Sequence, residues 1–210
     1  MAETVQALIP SADGPVPGIW YPMEHAPGAL LLVGGAGGGT HGPSGVYPDL
    51  AERMQWLDVA ALLLDYRNPN KLSDCVADVR AGIAWLGEQD IARAALVGWS
   101  FGGAVVITAG AASPAVVGVA TIASQTYGTD AVSRLAPRSA LFIHGTRDTV
   151  LPDLCSRTLY AQAGEPKELV IYPGDGHGIE LHRAELIEKL YEWAKGLLLP
   201  ERDSPGETAP

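Results

Sequence analysis

Short, unbroken apolar runs recur along this chain, separated by segments with helical spacing, and that alternation constrains the fold more than any other feature. The runs are Ala29 to Val33, Val59 to Leu64, Ala94 to Val97, Val116 to Ala123 and Ala140 to Ile143, with a more modest one at Glu168 to Tyr172 between Pro166 and Pro173. Runs of this length without polar alternation suit strands buried on both faces. Between them, Val76, Val79, Ile83 and Leu86 fall on one helix face, as do Ile187, Leu190, Tyr191, Ala194 and Leu198. A parallel neighbour can be reached only through a crossover, so strand and helix in alternation predict an α/β fold. The expected architecture is a mostly parallel central sheet with helices on both faces.

The two ends of the chain read differently. Thr4 to Ile9 and Gly18 to Tyr21 are β-prone pieces around Ser11-Ala12-Asp13-Gly14-Pro15, which predicts an antiparallel hairpin on the sheet edge. Ser73 and Asp74 are expected to cap the helix that carries Val76, with Gly87 near its end. From Pro200 to Pro210 the sequence is rich in Pro, Gly, Ser and Glu with no apolar face, and a disordered tail is expected there. Residues 1–199 then form a single domain, consistent with a length of 210 residues and with 47% hydrophobic against 18% charged residues.

Charge and cysteine content exclude several function classes. A net charge of −10 repels nucleic acid and anionic membranes, and no Lys/Arg-rich run overrules it. No apolar stretch is long enough to span a bilayer, and the N-terminus has no basic region followed by an apolar one. Two cysteines, Cys75 and Cys155, have no zinc-ligand spacing and are too few for a disulfide framework, so they read as helix-packing residues in a reducing, cytoplasmic setting.

The chemistry is carried by Gly98-Trp99-Ser100-Phe101-Gly102-Gly103, which follows the Ala94 to Val97 run and precedes the small, helix-compatible AVVITAGAA. This is G-x-S-x-G in a strand-turn-helix context. A tight turn projects the Ser100 hydroxyl above the sheet, the glycines remove Cβ atoms that would collide, and the Phe101 N–H can face a developing oxyanion. A serine hydroxyl is a weak nucleophile and needs a base that is itself oriented by an acid. Asp148 follows the strand ALFIHG and His177 follows ELVIYP, both past the C-terminal ends of strands, where ligands bind in open parallel sheets. The order serine, aspartate, histidine is that of the α/β-hydrolases.

On these residues, with His144-Gly145-x-x-Asp148, Gly176-His177-Gly178 and Asp65-Tyr66-Arg67, the chain from about Gly28 to Leu199 resembles the small, capless branch of the α/β-hydrolase superfamily, which includes dienelactone-hydrolase-like proteins and simple carboxylesterases. The resemblance implies a serine hydrolase acting on a small acyl substrate, without cofactor or metal, through an acyl-enzyme on Ser100. In such families the loop after the first core strand reads His-Gly-x, and its third residue gives the second oxyanion N–H. Here Gly34 replaces that histidine and the matching donor is Ala36. Dienelactone hydrolases usually carry cysteine where this elbow has serine. Only Ser124 to Arg138 separates the strands between which a helical cap is often inserted, so an open site is expected, roofed by Thr40 to Tyr47 and Gln125 to Ala131. Gly35 and His41, Trp99 beside the nucleophile, and Tyr127 are the candidates for substrate contact.

Alternatives remain at this level. Asp153 is a rival acid, and His182, expected in the last helix, a rival base; His144 reads as a packing and hydrogen-bonding residue. Ester, thioester, lactone or dienelactone, and peptide-like substrates could all use the same triad. Gly37-Gly38-Gly39-Thr40-His41-Gly42 matches G-x-G-x-x-G after a strand, with Asp65 ending the next, so a nucleotide-binding protein is a competing class. A noncatalytic interaction protein that kept the fold is another. Oligomeric state is not legible.

Overall fold

The computed structural model describes residues 4–199; the tail expected at 200–210 lies outside the described residues. The strands are β1 Val5–Ile9, β2 Val16–Tyr21, β3 Ala29–Val33, β4 Ala60–Leu64, β5 Ala94–Trp99, β6 Val116–Ile122, β7 Ser139–Gly145 and β8 Lys167–Tyr172. The helices are α1 Val46–Gln55, α2 Leu72–Glu88, α3 Phe101–Ala111, α4 Leu154–Gln162 and α5 Arg183–Leu198.

All eight strands form one sheet in the order β1-β2-β4-β3-β5-β6-β7-β8. The hairpin is antiparallel, β2 pairs antiparallel with β4, and every later pair is parallel. The hairpin turn closes through Gly14 N–H to Ser11 O and Ser11 Oγ to Gly14 O, with Gly14 at a positive φ of 104°. Such a backbone favours glycine. β2 extends back to Val16, two residues earlier than its sequence signal, because Val16 and Pro17 find partners in Ile9 and Leu8.

The unbroken apolar runs are explained by two cores, one on each face of the sheet. In β3, Ala29, Leu31 and Val33 enter the core shared with α2, α3 and α4, whereas Leu30 and Leu32 enter the core shared with α1 and α5. β4 repeats the pattern, with Ala60, Leu62 and Leu64 on one side and Ala61 and Leu63 on the other. Each of these side chains is completely buried, and removing one leucine to alanine from such a site costs about 2–5 kcal/mol. The α3 helix is buried over almost its whole length, between the sheet and α2, and its glycine and alanine content permits the close approach.

The capping expectation for α2 is corrected. The helix starts at Leu72 with Lys71 as its N-cap and no side-chain cap, so Ser73 and Asp74 lie inside its first turn. Asp74 instead accepts from Ser73 Oγ and Asn68 Nδ2, and a carboxylate in that turn still complements the helix dipole. His182 is likewise displaced from its expected place: it immediately precedes α5.

Candidate active site

β5, from Ala94, runs along the middle of the sheet and turns abruptly into α3 at Ser100, whose φ of 57° and ψ of −119° lie in a region that side chains rarely occupy. The neighbouring glycines make that turn possible. A Cβ on Gly98 would lie 2.2 Å from the carbonyl oxygen of Gly102, one on Gly102 2.3 Å from that of Gly34, and one on Gly103 2.2 Å from Ser124 Oγ. The Ser100 N–H is held by Ile122 O at 2.8 Å. Strain of this kind persists only where its surroundings over-determine it. Phe101 is the first residue of α3, so its N–H has no acceptor within the helix and is available at the helix's positive end.

The loops after β7 and β8 bring Asp148 and His177 together, with His177 Nδ1 2.7 Å from Asp148 Oδ2. The Asp148 side chain has no exposed surface, and that of His177 is 18% exposed. Asp148 Oδ1 accepts from the Val150 and Leu151 N–H groups at 2.8 and 2.9 Å. Burial pushes this carboxyl's pKa up, but the Leu151 N–H, the His177 ring and the Val150 N–H together hold it below the ordinary value. It stands there as an anion and an acceptor.

The rival acid and base are occupied elsewhere. Asp153 pairs with Arg157 at 2.9 Å. His182 Nδ1 lies 2.5 Å from Oδ2 of Asp175, a buried carboxylate that also takes the Leu181 and His182 N–H groups and so closes the loop carrying His177. Trp99 links the elbow to that loop: its indole N–H donates to His177 O at 3.0 Å, and its ring tilts against the imidazole with centroids 5.4 Å apart. Among the described residues, the Ser100 hydroxyl makes no hydrogen bond, and such contacts often tighten only once substrate is present.

On the other side of Ser100 lies the glycine-rich loop. Gly35 is buried against Ser100, since a Cβ there would touch Ser100 Cβ at 3.4 Å. Its carbonyl accepts from Gly38 N–H at 3.0 Å, closing a tight turn around Ala36, which is exposed. Three side chains outside the loop fix it. Tyr47 Oη donates to Val33 O at 3.0 Å, Tyr66 Oη donates to Gly34 O at 3.3 Å, and Asp65 Oδ1 accepts from Gly39 N–H at 2.6 Å. Burial raises the pKa of both phenols, so they remain donors. Asp65 also accepts from the Tyr66 N–H. This is poor context for a dinucleotide site: the carboxylate is consumed by the loop itself, and α1 begins only at Val46, after a 3-10 turn at Pro43–Gly45.

The remaining candidates are less closely engaged. His41 is exposed, and its carbonyl accepts from Tyr47 N–H. Tyr127 is 79% exposed on a loop whose Gly128 O is tied to Thr108 Oγ1 of α3. Ser44 Oγ donates to Gly178 O at 2.7 Å, which joins the Thr40 to Tyr47 loop to the loop of His177. Tyr66 stands in the quoted Asp65-Tyr66-Arg67 and Tyr47 ends the Thr40 to Tyr47 loop, but neither position signals in sequence that its hydroxyl fastens the glycine loop. His144 is a different case: it sits four residues before Asp148 in the quoted pattern, and its ring reaches Asp148 Oδ2 at 3.1 Å.

No metal-binding group of His, Cys, Asp and Glu is found among the described residues, and no described helix is long and apolar enough to cross a membrane. No protein-family model matches the chain. An uncharacterized protein of Mycobacterium tuberculosis is 30% identical to it over 204 residues, covering 81% of this chain and 71% of that one. Among solved structures, a dienelactone hydrolase from Anabaena variabilis superposes with a TM-score of 0.84 at 19% identity, covering 94% of this chain and 99% of that one. An α/β serine hydrolase without lid from Xanthomonas campestris gives 0.77 at 18% identity, covering 96% and 98%.

Proposed function

We propose that this chain, whose fold is shared with a dienelactone hydrolase and with an α/β serine hydrolase without lid, is a capless serine hydrolase of the α/β-hydrolase superfamily, cleaving a carboxylic ester of a small substrate through an acyl-enzyme on Ser100. The observation that carries the reading is the 2.7 Å contact of His177 Nδ1 with a buried Asp148, on loops at the same sheet edge as the strained Ser100. An ionised carboxylate only accepts hydrogen bonds, so Nδ1 carries the proton and Nε2 keeps its lone pair for the serine.

In the first step Ser100 Oγ attacks the acyl carbon while His177 Nε2 takes the hydroxyl proton, and Asp148 stabilises the imidazolium. The proton passes to the leaving oxygen as the acyl–oxygen bond breaks. Water, deprotonated by His177, then releases the carboxylic acid and frees Ser100. The oxyanion receives the N–H groups of Phe101 and Ala36. For Ala36 the support is the turn: Gly35 O is directed to Gly38 N–H, and in a trans peptide the following N–H points the opposite way.

Only a short connection with a 3-10 turn at Val132–Arg134 lies between β6 and β7, so no inserted domain covers this edge. Small or extended acyl substrates suit such an opening better than a long chain that must be enclosed. Turnover of p-nitrophenyl acetate, with fluorophosphonate labelling of Ser100, tests the proposal. Ser100→Ala should lose labelling and nearly all turnover, keeping only what the oxyanion donors and binding supply. Wild-type turnover in that variant would reject the mechanism.

A further inference from the structure

His144 is a polar residue at an apolar position. Along β7, Ala140 and Phe142 enter the core shared with α4, and the alternation of a strand sends His144 to the same side, where it is completely buried. Both ring nitrogens therefore need partners. Nε2 lies 3.1 Å from Asp148 Oδ2 and 3.0 Å from Leu151 O. Each of those oxygens can only accept, so Nε2 carries a hydrogen. Nδ1 lies 2.7 Å from Oγ of Ser156, itself fully buried on α4, and a hydroxyl can donate. A neutral ring satisfies every partner: Ser156 donates to Nδ1, and Nε2–H donates to Asp148. A doubly protonated ring would place a further charge in a site with no exposed surface.

We propose that Ser156 and His144 form a positioning pair for the catalytic acid, acting on the same Asp148 oxygen that meets His177. The two imidazoles donate to the same carboxylate oxygen, Oδ2, from different elements, while the Val150 and Leu151 N–H groups occupy Oδ1. Backbone donors alone hold one oxygen. His144 fixes the other, and with it the direction in which Asp148 presents itself to His177 Nδ1–H. Ser156 sets the tautomer that makes this possible, for a proton on Nδ1 would leave Nε2 facing two acceptors. The chain of donors runs from Ser156 through His144 to Asp148, and His177 meets it there from the substrate side. Neither Ser156 nor His144 touches substrate; they act on the reaction through Asp148.

The inference rests on the serine-hydrolase reading for its kinetic consequence, and its tautomer can be tested without activity. Nitrogen-15 NMR of histidine-labelled wild-type protein should show His144 neutral with the hydrogen on Nε2, assigned by loss of the signal in His144→Gln. A hydrogen on Nδ1 would overturn the proposal. In kinetics with p-nitrophenyl acetate, His144→Phe should lower kcat by about 10- to 100-fold with KM within about two-fold of wild type, as expected when a catalytic group is misplaced rather than removed. His144→Gln, whose amide can still donate toward Asp148, should recover most of the loss. Ser156→Ala should lower kcat about five-fold, the consequence of one lost hydrogen bond, and serves as the kinetic test if His144→Phe does not fold. Wild-type kcat in these variants, alongside an inactive Ser100→Ala, would overturn the positioning role and leave the hydrolase reading standing. An active Ser100→Ala would instead overturn that reading.

Discussion

Ser100 has two flanks built on different principles. On one, Asp148 and His177 present side chains, held by hydrogen bonds that involve an ionised group. On the other, residues 34–39 contribute backbone alone, and the loop's shape is set from outside by Tyr47, Tyr66 and Asp65. Charge-assisted bonds are strong and directional, so the acid–base flank carries its own order. A glycine-rich segment has almost none of its own. Its order must be supplied by neighbours, and here the neighbours are two buried phenols and a carboxylate.

The contrast predicts that the two flanks fail differently. Asp148→Asn should cut kcat by ~10⁴-fold, because the amide no longer enforces the required His177 tautomer, with the fold retained by circular dichroism. Acid titration of stability is a second reading of the same group. Since folding lowers the Asp148 pKa, its contribution is complete above the unfolded carboxylate value and disappears as pH falls through the folded one. Wild type should therefore lose stability more steeply than Asp148→Asn below about pH 4, as followed by urea unfolding. An equal slope would show that the carboxylate is not anchored as described.

On the glycine flank, Gly34→Ala should reduce kcat by about 10²-fold and destabilise the fold as well. Its Cβ would lie 2.5 Å from Gly38 O and 2.6 Å from Gly39 O, both backbone atoms that can give way only if the turn opens. A variant with wild-type rate would place the oxyanion donors elsewhere. Tyr47→Phe is the mildest change. Val33 O loses its buried donor, at a cost of about 1–3 kcal/mol in unfolding free energy, and kcat should fall less than in Gly34→Ala. Loss of stability without any loss of rate would separate the anchoring of β3 from the shape of the loop.

The same contrast explains what could be read from the sequence. The sheet was legible because a strand buried on both faces needs an unbroken apolar run, and Ala29 to Val33 and Ala60 to Leu64 have no other use for one. Ser100 was legible because the elbow needs glycine at 98 and 102 for steric reasons that hold wherever that turn forms. Asp148 ranks ahead of Asp153 on the His144-Gly145-x-x-Asp148 pattern, but both follow β7, and the packed loop shows which of them faces His177. The anchors Tyr47 and Tyr66 were beyond reach: a buried tyrosine looks like any other core aromatic until its hydroxyl finds a carbonyl. Lys71 as the α2 N-cap likewise shows that tertiary packing, more than capping chemistry, decides where that helix starts.

The connection between β6 and β7 is tied down on either side of its apex. Ala123 N–H donates to Ile143 O before it, and Gly128 O is held by Thr108 Oγ1 of α3 after it. Tyr127, between these anchors, projects into solvent past the C-terminal end of β6. Lengthening a loop between fixed ends costs little, because closure entropy grows only with the logarithm of its length. The chain thus has an attachment point at 126–127 where a foreign segment could be grafted at the Ser100 end of the sheet while the folding of the strands beneath proceeds undisturbed, which makes it a chassis for insertion.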